Sequence, residues 1–387
     1  MYFRDLVEDK QNKGLRKGYT TGTCAAAASK AAAIAFLTGE KVKEVQITLP
    51  VGKAVIIPVH RCEIEKGRAI ASIIKDAGDD PDVTNGAEIK AEVRAQGAEG
   101  KGQRNKAFQF TAHSSQFTVY GGKGIGVVTK PGLAISAGEP AINPVPREMI
   151  ENSIKEVLNF NSELRTLNSK LYLILSVPHG EELAKKTMNA RLGIMGGVSI
   201  LGTTGIVEPL SLSAYRHSIT CAMDVARASG CKDIIFSTGR SSEKVAEEIL
   251  KLPEEAFVLV GDHMGFALKE VKRQKSRVKR ITIVGQFGKF SKLAAGHFET
   301  HCSDSSIELE FLAHLAKEAG AKKDIFESIK NANTARQVFF ILREQGLESV
   351  YETVCNKVKV NAEKIVDSKT EIGCMLIGYD NEVVEKL

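Results

Sequence analysis

The chain has 387 residues, of which 43% are hydrophobic and 26% charged, so it is long enough for two globular domains with buried cores. Its net charge of +6 is too mild to distinguish a nucleic-acid partner from a polyanionic small molecule. The longest apolar runs have only the length of strands, which argues against a membrane-spanning helix. The seven cysteines form no C-x-x-C motif, a usage typical of the reducing cytosol, and we expect a cytoplasmic protein.

The first predicted element is an alanine-rich helix within residues 18–37, GYTTGTCAAAASKAAAIAFL. Alanine has the highest helix propensity, and the threonines ahead of it are suitable N-cap residues. Two interpretations stay open for Thr20, Thr21, Gly22 and Thr23. They form either an anion or nucleotide cradle, or the capped start of a helix that is buried against a sheet.

Short β-type runs separated by turn residues follow between residues 45 and 129, as expected for a mostly antiparallel sheet. Within them, the loop of residues 75–86 (KDAGDDPDVTNG) is rich in aspartate but lacks the EF-hand spacing. An Asx-rich turn is therefore favoured over a metal site.

A cluster of prolines, Pro140, Pro144 and Pro146, precedes a helical pattern that starts at Arg147. Prolines before a helix are typical of a boundary. We therefore place a domain border near residue 145, between an α+β domain with a mostly antiparallel sheet (1–145) and a second domain (146–387).

The second domain alternates near-continuous apolar runs with helical patterns, which predicts a Rossmann-like parallel α/β sheet with a helical region from about residue 320. The predicted strands are residues 171–177, 198–201, 233–237, 257–261 and 280–284, and a last β-type run covers 373–379. Ligands of such sheets bind beyond the carboxyl ends of the strands. Four polar or glycine-rich strand ends are expected to converge there: residues 202–205, 237–240, 261–263 and 285–289.

The most glycine-rich of these ends lies within residues 189–213, NARLGIMGGVSILGTTGIVEPLSLS. Residues 198–201 predict a buried strand, residues 202–205 a turn, and Ser211 or Ser213 can cap the helix that follows. Such a junction brings unpaired backbone N–H groups and hydroxyls to one spot. We favour a ligand loop over a tight turn that binds nothing.

Charged and histidine-containing segments point to no macromolecular partner or metal. The basic run of residues 269–280 lacks interleaved aromatic residues and matches no nucleic-acid-binding module, so we expect a solvated face. His297 and His301 are four residues apart on a helical pattern, but no third metal ligand is obvious. We expect this helix end to face the ligand edge of the sheet, with a histidine as hydrogen-bond donor or proton acceptor.

Six stretches of the chain resemble one family, the cobalt-precorrin-5B C(1)-methyltransferases, or CbiD family, of cobalamin biosynthesis. They are residues 18–33, 75–86, 121–133, 138–150, 192–211 and 288–301, in family order. Four positions depart from the family pattern: Asn85, His179, Ala190 and Cys302 stand where histidine, glycine, proline and serine are usual. Because Asn85 cannot act as an acid or base, no catalysis is assigned to its loop.

The resemblance implies S-adenosylmethionine as methyl donor and a cobalt-containing corrinoid precursor as acceptor. It implies methylation of C1 of cobalt-precorrin-5B to give cobalt-precorrin-6A on the anaerobic route to vitamin B12. Methyl transfer to carbon mainly requires orientation in a dry site, so no metal site is predicted. The catalytic residues stay unassigned, with His297, His301 and Asp304 as candidates.

The glycine-rich loops supply the predicted ligand contacts. The cofactor is assigned to Gly196, Gly197, Gly202, Thr203, Thr204, Gly205 and Glu208. The acceptor carries acetate and propionate groups that need cationic partners. Its predicted contacts are Thr20, Thr21, Gly22, Thr23, Lys123, Lys130, Arg191 and Lys289, with Lys17 as a further cation beside a glycine turn.

Two rival functions stay open. A nicotinamide-dependent oxidoreductase would suit the Rossmann-like half, although G-x-G-x-x-G after its first strand is missing. A non-enzymatic tetrapyrrole carrier would use His297 and His301. The oligomeric state is also open, with a homo-oligomer as one option, and the macrocycle is assigned to neither domain.

Overall fold

The computed structural model describes residues 14–95, 109–110, 117–160, 171–274, 278–302, 304–366 and 369–387. The chain divides into two compact units, of which the first ends at Leu212 and the second runs from Ser213 to Leu387. Both units are mixed α/β structures, and the main sheet of each contains parallel and antiparallel strand pairs. No helix within the described ranges is both long enough and apolar enough to cross a membrane.

The first unit is built on a six-stranded sheet. Its elements are β1 Gly18–Tyr19, α1 Thr21–Thr38, β2 Glu44–Thr48, β3 Ala54–Pro58, β4 Arg61–Glu65, β5 Arg68–Ile74, β6 Glu88–Ala95, β7 Gln109–Phe110, β8 Phe117–Gly121, β9 Gly124–Ile125, β10 Val127–Val128, α2 Pro144–Phe160, β11 Leu171–Ser176, α3 Gly180–Ala184, β12 Ile194–Met195, β13 Gly197–Val198 and β14 Ile206–Val207. The strand order is β4-β5-β6-β11-β8-β7, and only β11 and β8 are parallel neighbours. Helices α1 and α2 share one hydrophobic core with this sheet.

Helix α1 confirms the alanine-rich helix that its composition predicts. The Thr20 hydroxyl caps its start by accepting a hydrogen bond from the Thr23 N–H at 3.2 Å, and Gly39 ends it in the left-handed conformation. Its alanines are almost completely buried. Because their side chains are small, the helix can pack closely against both the sheet and α2.

The division at Leu212 differs from the boundary expected near residue 145. The proline cluster does start a helix, α2, but this helix packs on α1 of the same unit. Strand β11, expected in the second domain, instead lies between β6 and β8 in the first unit's sheet. Proline clustering reports a local helix start, whereas the boundary depends on strand pairing between segments that are distant in the sequence.

The second unit contains a five-stranded sheet and most of the helices. Its elements are α4 Leu212–Ala228, β15 Asp233–Ser237, α5 Arg240–Leu250, a 3₁₀ turn at Glu254–Ala256, β16 Phe257–Leu259, α6 Met264–Arg273, β17 Arg280–Gln286, α7 Phe287–Ala294, α8 Leu309–Glu318, α9 Lys323–Lys330, α10 Ala335–Glu344, α11 Ser349–Glu363, β18 Glu371–Ile377 and β19 Val383–Lys386. The strand order is β16-β15-β17-β18-β19, with the first four parallel and β19 antiparallel. The helices beyond residue 320 and the last β-type run agree with the sequence pattern.

Both faces of this sheet are covered. Ile235, Val284 and Met375 belong to a small apolar cluster with Ala246 of α5. Alternating strand residues, such as Phe236 and Ile283, belong to the larger cluster that includes residues of the other long helices. Near-continuous apolar strands are typical of a parallel sheet that is buried on both faces.

Two further expectations for this region are wrong. Residues 198–201 do not form a strand of the parallel sheet, since β13 pairs with β9 and Ile200 bridges to Ile142, both within the first unit. Helix α7 ends at Ala294, so His297 and His301 do not lie on a helix. Gly296 between them and the helix has φ +98°, which turns the chain away from the helical path.

Candidate functional site

The glycine-rich turn at residues 202–205 lies against the start of α1. The Thr20 N–H donates to the Gly205 carbonyl at 3.1 Å, and the Thr23 hydroxyl donates to the same carbonyl at 2.7 Å. The Gly22 N–H donates to the Leu201 carbonyl at 3.0 Å. The structure therefore brings together the two segments that were predicted to bind cofactor and substrate.

These segments satisfy each other's polar groups. The Thr21 hydroxyl lies 3.1 Å from the Ser199 carbonyl and accepts from the Leu201 N–H at 2.9 Å. Thr20, Thr21 and Thr23 are all buried. A Cβ at Gly202 would overlap the Thr20 side chain, and one at Gly205 would lie 2.8 Å from the Leu49 side chain. The arrangement favours a buried, capped helix start that is tied to a tight turn.

The remaining predicted residues of the first unit lie mainly at its surface. Gly196, Thr203 and Thr204 are exposed, and Glu208 pairs with Lys17 at 2.6 Å. Gly197 is buried, and an added Cβ would overlap the backbone of Gly124. Of the other predicted acceptor cations of this unit, Lys123 is exposed, and Lys130 and Arg191 are half-buried.

The second unit carries a cavity at the carboxyl edge of its sheet. The cavity has a volume of about 580 Å³ and is lined by residues that follow β15, β16 and β17. Among these residues are Thr238 and Gly239, Asp262, and Gln286, Gly288 and Lys289. Three of the four strand ends expected to converge do meet here, whereas the fourth, residues 202–205, belongs to the first unit.

An acid and a lysine form the polar centre of this cavity. Lys289 Nζ lies 2.7 Å from the Thr238 carbonyl and 3.1 Å from Asp262 Oδ1. The Thr300 hydroxyl donates to the same Asp262 oxygen at 2.7 Å. Burial alone would raise the pKa of Asp262, but the hydrogen bond from Thr300 and the charge of Lys289 outweigh it, so this pKa lies below its ordinary value. The cavity therefore holds an ionised carboxylate that is already paired.

The segment after α7 forms another wall of the cavity. Thr300, His301 and Cys302 line it, together with Ser305, Ser306 and Ile307. The Thr300 N–H donates to the Asp262 carbonyl at 3.0 Å, and the Gly265 N–H donates to the Phe298 carbonyl at 3.0 Å. These bonds hold the segment to the end of β16.

The three candidate catalytic residues are dispersed. His301 lines the cavity, whereas His297 lies 3.3 Å from Glu308 and lines a separate surface groove. Asp304 donates its backbone N–H to the His301 carbonyl and is absent from the cavity lining. Lys292 lines the cavity but was not predicted, because a lysine within a helical pattern carries no signal of burial.

The chain matches two family models. The model described as CbiD matches residues 8–209, and the model described as the CbiD C-terminal domain matches residues 299–386. The chain belongs to the CbiD family. The first match ends close to Leu212, where the two compact units divide, and the second includes the cavity residues from Thr300 onward.

Relatives of this CbiD protein cover nearly its whole length. It is 45% identical to the cobalt-precorrin-5B C(1)-methyltransferase of Geobacter metallireducens, over 96% of this chain and 98% of that protein. It is 43% identical to the enzyme of the same name from Priestia megaterium (95% and 94%) and 46% identical to that from Geobacillus sp. strain WCH70 (97% and 97%). The crystal structure of cobalamin biosynthesis protein CbiD from Archaeoglobus fulgidus is 30% identical, with a TM-score of 0.38, over 86% of this chain and 85% of that one.

Proposed function

We propose that this CbiD protein is a cobalt-precorrin-5B C(1)-methyltransferase that uses S-adenosylmethionine as methyl donor and a cobalt-containing corrinoid as acceptor. The observation that carries the proposal is the identity of 43–46%, over at least 95% of this chain, to three proteins of that name. This function requires a site for a nucleoside-sized donor and a surface that the acceptor can reach.

The cavity of the second unit is the proposed donor site. The first strand of this unit, β15, lies between β16 and β17, so the strand order reverses at β15, as it does in a doubly wound, Rossmann-like sheet. Ligands of such sheets bind at the carboxyl edge where this reversal occurs. The cavity volume of about 580 Å³ falls in the range of roughly 300–1,000 Å³ that is usual for small-molecule sites.

This placement replaces the glycine-rich turn as the proposed donor site. The hydroxyls of Thr20, Thr21 and Thr23, which lie beside residues 202–205, already make hydrogen bonds within the protein. The edge of the second unit's sheet instead carries an open cavity. Thr20, Thr21 and Thr23 are proposed to be structural for the same reason. Lys123, which is exposed, stays the proposed partner of an acceptor carboxylate.

The residues of the cavity would bind and orient the donor. When bound, S-adenosylmethionine supplies an electrophilic methyl group, which an electron-rich ring carbon takes up in an in-line displacement. Asp262, held by Lys289 and Thr300, offers a fixed carboxylate to hydroxyl groups of a ribose. The apolar and backbone surfaces around Gly239 and Ile307 would pack against the donor, so the protein contributes proximity and orientation.

The function is tested by methyl transfer. Incubation with methyl-labelled S-adenosylmethionine and cobalt-precorrin-5B should give one labelled methyl group at C1 and S-adenosylhomocysteine. The reaction should need neither a nicotinamide nor an added metal. Absence of transfer, although both ligands bind, would refute the enzymatic function and favour the carrier alternative, and a requirement for NADH would favour the oxidoreductase.

The donor site is tested by filling the cavity. Gly239 has extended backbone at φ −170°, and the nearest atom to an added Cβ is Ser242 Oγ at 3.9 Å, so a Cβ is accommodated there without strain. Gly239→Trp should weaken S-adenosylhomocysteine binding by at least tenfold, about 1.4 kcal/mol, while Gly239→Ala binds normally. Calorimetry measures both, with the melting temperature as the folding control. Unchanged binding to the tryptophan variant would place the donor elsewhere.

A further inference from the structure

Lys292 of α7 carries a buried charge beside the proposed donor cavity. The residue is 8% exposed and lines the cavity. Its ammonium donates to the Thr300 carbonyl at 2.8 Å and to the Ser305 carbonyl at 2.7 Å. An ammonium has three donors, so two carbonyl bonds leave one N–H without a partner among the residues that the structure describes.

The charge of Lys292 also lacks a counter-ion within the described ranges of the chain. The acid of the cavity, Asp262, is paired with Lys289 at 3.1 Å and bonded to Thr300. No carboxylate among the described residues lies within 4.0 Å of Lys292 Nζ. A buried charge without an ionic partner is costly, and a ligand of opposite charge would relieve that cost.

The start of helix α7 adds positive potential at the same cavity. Helix α7 begins directly after Gln286, and its first turn has neither a side-chain cap nor an acidic residue. Gln286 lines the cavity. The Gly288 N–H of α7 donates a hydrogen bond to the Tyr379 hydroxyl. The other amides in the first turn of that helix stay available to a ligand. Uncapped amides at a helix start favour an anion.

We infer that Lys292 and the start of α7 form a carboxylate-binding subsite within the cavity. The inference rests on the proposed function, which offers two sources of a carboxylate: the amino-acid part of the methyl donor, and an acetate or propionate group of the acceptor. In either case the ligand carboxylate takes the free N–H of Lys292 and neutralises its charge.

The first test compares ligands with and without the carboxylate. Calorimetry on the full chain should show that Lys292→Met lowers the affinity for S-adenosylhomocysteine at least tenfold. The affinity for 5′-methylthioadenosine, which lacks the amino-acid part, should stay within about twofold of the wild-type value. Lys292→Arg, which keeps the cation, should retain most of the affinity. Lys272→Met is the matched control, because Lys272 is exposed on α6 and absent from the cavity lining.

The second arm distinguishes the source of the carboxylate. If the subsite serves the acceptor, Lys292→Met should weaken binding of dicyanocobyrinic acid but not of its heptamethyl ester, and should leave S-adenosylhomocysteine unchanged. If Lys292→Met weakens binding of neither S-adenosylhomocysteine nor dicyanocobyrinic acid, the subsite is refuted. Binding of S-adenosylhomocysteine by the wild-type protein would still support the proposed function in that case. Failure of the wild-type protein to bind S-adenosylhomocysteine at all would instead count against the proposed donor.

A third measurement needs no variant, since loss of Lys292 also removes two bonds that hold residues 300–305. The wild-type protein should bind S-adenosylhomocysteine at least tenfold more tightly than its carboxamide, and cobyrinic acid more tightly than its ester if the acceptor supplies the group. Equal affinities within both pairs of ligands would overturn the inference whatever the stability of the Lys292 variants.

Discussion

Gly202→Ala is expected to destabilise the first unit by about 2–6 kcal/mol, the sum of backbone strain (about 1–3) and overpacking (about 1–3). Gly202 has φ +132°, a conformation that disfavours a side chain, and its Cβ would overlap the Thr20 side chain. Thr20 caps α1, the helix at the centre of the first unit's core. The urea midpoint, followed by circular dichroism, measures the loss.

Gly196→Ala is the matched control for this prediction. Gly196 also has positive φ, +80°, but an added Cβ meets no atom within 4 Å. Its replacement should therefore cost only the conformational penalty of about 1–2 kcal/mol. If Gly202→Ala instead keeps wild-type stability and loses S-adenosylhomocysteine binding, the turn is the cofactor loop that the sequence alone suggests.

This turn illustrates where sequence reasoning ends. The density of glycine correctly indicates a close backbone approach, but the group that approaches can be a ligand or another part of the chain. Here it is the start of α1, about 180 residues earlier in the sequence. A long-range contact of this kind leaves no trace in local composition, so the sequence alone does not separate the alternatives for residues 20–23.

Elements with strong local signals were predicted well. The alanine-rich composition is sufficient to predict α1, and near-continuous apolar runs are sufficient to predict β15 and β17. The cavity was partly predictable too, because the carboxyl ends of parallel strands share one edge. The burial of Lys292 was not predictable, since it depends on contacts with Thr300 and Ser305, which lie beyond the end of α7.

The aspartate-rich loop of residues 75–86 contains a buried ion pair, and breaking this pair should have the second large effect on stability. Lys75, only 1% exposed, pairs with Asp82 at 2.6 Å, and the second oxygen of Asp82 accepts from the Thr84 N–H and hydroxyl at 2.7 Å each. The Asn85 side chain accepts from the Ala77 N–H at 2.9 Å and closes the same loop. These bonds agree with an Asx-rich turn.

Lys75→Met should destabilise the first unit by about 3–5 kcal/mol, because it leaves Asp82 charged and half-buried without its partner. The double variant Lys75→Met with Asp82→Asn should recover most of this loss, because asparagine is uncharged and keeps an oxygen that accepts from Thr84. Arg16→Met is the control, since the Arg16–Asp76 pair is more than half exposed on both sides and should matter little. A single variant as stable as the double one would contradict the argument.

The same pair predicts how stability depends on pH. Burial would raise the pKa of Asp82, but the charge of Lys75 and the hydrogen bonds from Lys75 and Thr84 outweigh it, so this pKa is lower in the folded protein than its ordinary value of 3.8. Such a group contributes its full stabilisation above the pKa of the unfolded chain and loses it as the pH falls through the folded value. The urea concentration at the unfolding midpoint of the wild-type protein should therefore decrease as the pH is lowered below about 4. The double variant should lack this part of the decline, and an identical pH profile for both proteins would show that the ion pair does not contribute to it.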